Sequence, residues 1–395
     1  MFEQDLVIDV DSHWELPKDP STPQGDPSER VKGFVAVLAG DVLVNVPPEE
    51  WPPIEAMTSP ELIEFFSSPG ASPMSQGLGA SDVPGRIEWC DQVGIDFQFV
   101  NGGGFTGLEL GLADVDARRA AIRWANDVLL DELDAHQDRF STIAICDASD
   151  LDVSIPELER CRARGSRAFH IRAEPPNGMS FAHPHFDRLW SAAVDLGMVP
   201  YLHIGNTPAH FDAGWANVGI GEEGSVGAAA LTRISNSART QSAEIMLASM
   251  AFGGVFARNP ALTLFVAELW SGWLPFLVMR LNQNTEPGRK AQSDLFLGKW
   301  PYDIGAGDFL RDHVRVSPLP GLGPDGIPTL LEEPEMVVFS SDYPHLEGSP
   351  TPIDAYGQEL RDLDADTRAS FMGGNVLDVF ERMGDPLPVK KPAGV

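Results

Sequence analysis

The stretch Ile8-Asp9-Val10-Asp11-Ser12-His13 sets an acid and an imidazole two residues apart, and on an extended chain such residues face the same side. At the end of a strand, Asp11 and His13 would supply half of a site for a hard or borderline cation. His203 closes the apolar run Pro200-Tyr201-Leu202 shortly before Gly205, as a strand does where it opens into a loop. Asp342 ends the run Val337-Val338-Phe339-Ser340-Ser341 in the same way, with His345 three residues on, a candidate to move a proton at a water near a metal. Singly, these residues are unremarkable: strand-end acids cap helices, and histidines are satisfied in cores. Together, ending different strands, Asp11, His13, His203 and Asp342 make a nitrogen and oxygen ligand set if the strands converge at one mouth.

Weaker candidates accompany them. Arg172 could clamp a carboxylate or phosphate, or simply pair with Glu174. His170, two residues earlier, reads first as a core histidine and second as an extra ligand, and Asp147 is a strand-end acid without an assigned role. Gly102-Gly103-Gly104-Phe105 lacks the spacing and the lysine of a phosphate loop, so close backbone approach to a ligand is the better expectation.

The elements that must position these residues are short apolar runs at 6–11, 96–101, 140–147, 167–172, 198–204, 262–269, 313–317 and 336–341. Segments of helical period separate them, at 117–133, 186–196, 242–257 and 274–282 among others. In the first of these, Ala121, Trp124 and Val128 read as one apolar stripe, with Ala125 and Leu129 beside it. Eight strands alternating with helices predict an α/β fold, a closed (β/α)8 TIM barrel whose strand ends gather the site on one face. Two stretches break the alternation and are expected as long insertions after strands 1 and 5, at about 17–81 and 206–241. One barrel domain is expected over 1–384, with a C-terminal arm over 385–395.

The net charge of −30, from 28 Lys and Arg against 58 Asp and Glu, repels nucleic-acid backbones and anionic membranes. No window reaches the ~18–20 apolar residues of a membrane span. Residues 1–10 lack the basic and apolar regions of a signal peptide, and Cys90, Cys146 and Cys161 fit neither a zinc knuckle nor a disulfide framework. Reduced thiols and a cytoplasmic location are the expectation.

The stretches VIDVDSHWE (7–15), RIEWCDQVGID (86–96), 186–203, GVFARNPALTLFVAELWSGWLPFLVMRL (254–281), SSDYPHLEG (340–348) and 375–380 resemble the amidohydrolase-related metal-dependent barrels. That family includes aminocarboxymuconate semialdehyde decarboxylase, and the resemblance is greatest to its longer actinobacterial members. It implies Asp11, His13, His203 and Asp342 as metal ligands and points to Glu268, at the end of the sixth strand, as a ligand or catalytic acid. Where the decarboxylases of the family place a catalytic histidine, this chain has Leu269. The expected function is therefore a metal-dependent hydrolase that uses an activated water on a small organic acid, amide, lactone or thioester. Asp342, His345, Glu268 and Arg172 would be its catalytic groups, and one or two divalent ions, zinc or iron, its cofactor. The ligand set, rich in carboxylates, leaves a non-haem di-iron monooxygenase as the alternative, and a non-oxidative decarboxylase after it. Trp270, Trp273 and Phe105 suggest an apolar pocket wall, so the substrate is expected to be a small anion with an apolar body. A homo-oligomer is also expected.

Overall fold

The computed structural model describes residues 6–14, 78–80, 82–102, 115–216, 226–285, 298–320, 326–345 and 347–389. Phe105, most of the stretch expected as an insertion after strand 1, and the last residues of the arm lie outside them. Seven parallel strands follow one another around a single sheet: β1 (Ile8–His13), β2 (Phe97–Asn101), β3 (Phe140–Ala144), β4 (Ala168–Ile171), β5 (Val199–His203), β6 (Leu264–Ala267) and β7 (Val314–Val316). Each lies within or beside the run that predicts it. The eighth run is not a regular strand, yet its backbone is tied on both sides. Val338 N donates to Val316 O at 3.1 Å, and Val10 N donates to Phe339 O at 3.1 Å. Further on, Asp342 N reaches Asp11 O at 2.8 Å and His13 N reaches Tyr343 O at 2.7 Å. Residues 336–343 thus bridge β7 to β1 and close the ring.

The principal helices are α1 (Val83–Val93), α2 (Val115–Leu133), α3 (Leu151–Ala163), α4 (Asp187–Leu196), α5 (Val226–Phe252), α6 (Leu274–Thr285), α7 (Ala306–His313), α8 (Gly326–Glu332) and α9 (Asn375–Arg382). Two differ from what the apolar pattern predicts. In α2 Ala125 and Leu129 are buried as expected, but the stripe continues through Ile122, Asn126 and Leu133 rather than through Trp124, which is 54% exposed. Asn126 belongs to the stripe because its amide accepts from Ile145 N at 2.7 Å, pinning the helix to the segment after β3. The helix after β5 begins at Val226, so the second insertion is shorter than 206–241. Its inner face there is Ser235, Ala238, Arg239, Ser242 and Ala243, which have helical spacing but little hydropathy. Small side chains concealed the period. Among the described residues no helix is long and apolar enough to cross a membrane, and all three cysteines are buried and free.

The end of the barrel where the strands begin is filled with aromatic side chains. Phe99 meets Phe97, Phe265 and Phe380 with ring centroids 5.5–5.7 Å apart, and Phe380 comes from α9, which lies across that end. The arm does not leave the domain at 385. Asp385 is held by Arg162 and by Arg167 at 2.9 Å, and Leu387 is buried in the same cluster. Replacing Phe99, which is fully buried, with Ala is expected to cost about 3–5 kcal/mol of stability, read as a lower urea midpoint.

Candidate metal centre

Four strand ends deliver the site. β1 and β2 pair in register at Ile8–Phe97 and Asp9–Gln98, then slip by one residue before Ser12 pairs with Val100. Such an irregularity re-aims side chains locally, and here it falls on Val10 and Asp11. β5 ends on His203, and Glu268 follows β6 directly. Asp342 stands where residues 336–343 run alongside β1. Glu268 and Asp342 both have left-handed backbone, φ 59° and 50°, and they are two of four such non-glycine residues among those described. That conformation is uncommon outside glycine, so its appearance at two strand-end acids marks local backbone strain where the side chains converge.

The side chains converge. His203 Nε2 lies 2.7 Å from Glu268 Oε2 and 3.8 Å from Asp11 Oδ1. His13 Nε2 is 3.2 Å from Asp342 Oδ1 and 3.5 Å from Asp11 Oδ1. His345 stacks on His13 with centroids 3.6 Å apart, and its Nδ1 is 3.0 Å from Asp342 Oδ1. All six side chains are buried. Ligand atoms of Asp11, His13, His203 and Glu268 lie within 4.8 Å of one another, as do those of His13, Glu268, Asp342 and His345.

Burial sets the electrostatics. It pushes the Asp11 and Glu268 carboxyls well above the usual carboxylate range, with the charge of Asp342 adding to the effect, and it also raises Asp342. The same desolvation lowers His13 and His203. His345 goes the other way: burial disfavours its charge, but the bond to Asp342 and the nearby acids outweigh that and lift it to about 9. Asp11 Oδ2, both nitrogens of His13, His203 Nε2, Glu268 Oε2 and Asp342 Oδ2 are buried without a hydrogen-bond partner. Buried polar atoms are rarely left so. Carboxylate oxygens and imidazole nitrogens gathered around one point fit a divalent cation, which would satisfy them and reverse the cost of their charges.

The surrounding shell includes residues that the motifs did not single out. Tyr201 donates its hydroxyl to Asp11 Oδ1 at 2.7 Å, leaving Oδ2 turned elsewhere. Asp9 is fully buried, and burial pushes its carboxyl up to about 6 against four hydrogen bonds that favour its charge. Arg86, also fully buried, donates to His13 O. Signals were present: Asp9 has the same two-residue spacing from Asp11 as Asp11 has from His13, and Tyr201 stands two before His203.

Other candidates fall outside the cluster. Arg172 pairs with Glu174 at 2.9 Å and lines a cavity of about 550 Å³ with Arg118, Asp147, Phe181 and His210. His170 has both ring nitrogens occupied, by Asn101 at 3.1 Å and Asn206 at 3.0 Å, and burial holds it neutral with a pKa near 3. It is a core histidine. Asp147 pairs with Arg118 and accepts from Ser149 N. The Trp273 indole donates to Leu269 O and Trp270 O, turned back toward its own chain.

Because the barrel core does not rest on His203, His203→Ala is expected to lose bound metal while keeping its circular-dichroism spectrum. Full metal occupancy in that variant, measured by elemental analysis, would remove His203 from the site.

Comparison with known proteins gives the family. No curated protein matches the chain. Among solved structures, 5-carboxyvanillate decarboxylase LigW from Sphingomonas paucimobilis superposes with a TM-score of 0.59 at 18% identity, covering 95% of this chain and 99% of that one. An amidohydrolase from Mycobacterium avium subsp. paratuberculosis gives 0.64 at 20% identity, covering 96% and 100%. The dihydroxybenzoic acid decarboxylase of Polaromonas sp. JS666, with bound manganese and the inhibitor 2-nitroresorcinol, gives 0.59 at 17%, covering 96% and 97%. At such identities the likeness concerns the fold. The model of the family described as Amidohydrolase matches residues 91–295, more than half of the chain, and the chain belongs to that amidohydrolase family.

Proposed function

We propose that the chain is a metal-dependent hydrolase of a small organic acid, amide, lactone or thioester. The observation that carries this reading is the cluster of buried, unsatisfied carboxylate and imidazole atoms from Asp11, His13, His203, Glu268 and Asp342 at the strand ends. Those five residues would hold the divalent ion. When bound, it would polarise the substrate carbonyl and make water a stronger acid. The donor set suits zinc or iron, and manganese is the ion in the Polaromonas enzyme.

The chain's own groups handle the proton. Asp342 holds His345 Nδ1 at 3.0 Å and favours the charged imidazole. The charged His345 can give the proton on Nε2, which is buried without a partner, to the leaving group, and the neutral imidazole left behind can then take up a proton from the attacking water. Leu269 supports hydrolysis over decarboxylation assisted by a histidine, because it is fully buried in the outer core and offers no acid–base group. Decarboxylation nevertheless stays within reach of the scaffold, as the two decarboxylases above use the same fold. Their aromatic acids support a small anionic substrate with an apolar body for this chain too. Arg172, held by Glu174, would need to exchange partners to bind its anionic end.

Metal-loaded protein should be offered aryl esters, lactones, amides and hydroxylated benzoates in water enriched in heavy oxygen. Hydrolysis predicts label in the product, with neither carbon dioxide release nor oxygen uptake. Carbon dioxide release alone would replace this reading by decarboxylation.

One observation favours the second reading, a two-ion oxygenase: the ligand atoms form two overlapping groups that share His13 and Glu268. A carboxylate bridges two ions readily. If two ions are held, Glu268→Gln should lower the metal content from two per chain to about one, since a neutral amide is a poorer partner for a dication. Oxygen uptake on substrate addition should vanish with it. One ion in both wild type and variant removes the oxygenase.

A further inference from the structure

Asp9 is a buried acid outside the set that would hold the ion, and its hydrogen bonds explain why it is there. The slip in register between β1 and β2 lies just beyond Asp9, and the bonding of β1 to residues 336–343 is irregular at the same level. Before it, Val10 N donates to Phe339 O; after it, Asp342 N donates to Asp11 O. Between these two bonds, Ser341 N finds no backbone acceptor in β1. The Asp9 side chain takes that place: Oδ1 accepts from Ser341 N at 2.8 Å and from Asp11 N at 3.2 Å. Oδ2 accepts from Ser341 Oγ at 2.6 Å and from Gln98 Nε2 at 2.6 Å. One carboxylate thus grips the residue before Asp342, the backbone of Asp11, and β2.

A second layer holds the first. Gln98 Oε1 accepts from Arg86 at 3.4 Å and from Cys90 at 3.3 Å. Arg86 in turn donates to His13 O and, at 2.8 Å, to Gly79 O. Gly79 has φ 74°, and a Cβ there would lie 1.9 Å from Arg86 N, so the close approach needs glycine. The chain of contacts from Arg86 through Gln98 to Asp9 therefore touches the backbone at Asp11, His13 and Ser341, next to Asp342.

We infer that Asp9 is a positioning residue: its carboxylate, braced by Gln98 and Arg86, sets the spacing between Asp11 on one chain segment and Asp342 on the other, and so the affinity of the site for its ion. This rests on the metal reading of the site given above. Asp9 lies outside the set that would hold the ion; it acts through the backbone of Asp11 and of Ser341, the residue before Asp342. In Asp9→Asn, an NH2 group replaces the Oδ2 that accepts from Gln98, so a donor faces a donor and the grip loosens without a change of volume.

The experiment is titration calorimetry with Zn²⁺ and with Mn²⁺ alone on metal-free protein, beside the melting temperature. Asp9→Asn is expected to bind roughly 10- to 100-fold more weakly than wild type, as supporting partners of metal ligands do. Ser341→Ala, which removes one of the same bonds, should weaken binding in the same direction. The double variant should fall short of the product of the two effects, because both act on one contact. Leu158→Ala, fully buried in the outer helical layer, serves as a control: it should lower the melting temperature and leave the dissociation constant unchanged. Wild-type affinity in Asp9→Asn overturns the inference, as does equal weakening in Leu158→Ala, which would make the effect one of general stability. Should Asp9→Asn fail to fold, Ser341→Ala decides, and unchanged affinity there overturns it equally. If wild type binds neither ion, the metal reading itself has failed, a result seen before any variant is examined.

Discussion

Glu268 stands within a few ångströms of both Asp11 and Asp342 where water is excluded, and three carboxylates cannot all carry charge there unaided. Either protons or a cation must balance them. The imidazoles of His13 and His203 do little to help as protonated partners, since burial drives both toward the neutral form. Neutral imidazoles and ionised acids are the protonation states that a divalent ion requires of its ligands. The rest of the barrel can be understood as the means of holding that otherwise unfavourable arrangement in place.

Holding it requires rigidity from the opposite end. The aromatic cluster around Phe99 and the helix Asn375–Arg382 give the barrel a packed floor, remote from the mouth. The left-handed backbone at Glu268 and Asp342 stands directly after paired segments, Glu268 following Ala267 of β6, which pairs with His203, and Asp342 donating its N–H to Asp11 O. Stability and chemistry are thus divided between the two ends of the same strands, as in barrels generally.

How much of this was legible in the sequence depended on side-chain size and on sequence distance. Strands buried on both faces read as apolar runs, so the seven strands and the segment that closes the ring each fall on a predicted run, and the Asp-x-His spacing marked β1 as a strand that brings an acid and an imidazole to the cluster. The face of α5 was missed because Ser and Ala carry its period, and the face of α2 was displaced because Trp124 outweighed Asn126 in a hydropathy reading. His345 could be named from its spacing to Asp342, but its stacking on His13 could not, since those rings are brought together only by closure. Asp9 carried a spacing signal but no sign of its partners Gln98 and Ser341, and Arg86 carried none at all. Their partners are not neighbours in sequence, and a buried acid or arginine has no hydropathy signature that separates it from one in solvent.

The bond between Asp9 and Ser341 joins residues 332 apart. The strand that carries Asp11 and His13 therefore has one of its two neighbours supplied by chain more than three hundred residues further on. A cluster whose acids come from both ends of that span, Asp11 and Asp342, is complete only once the ring has closed.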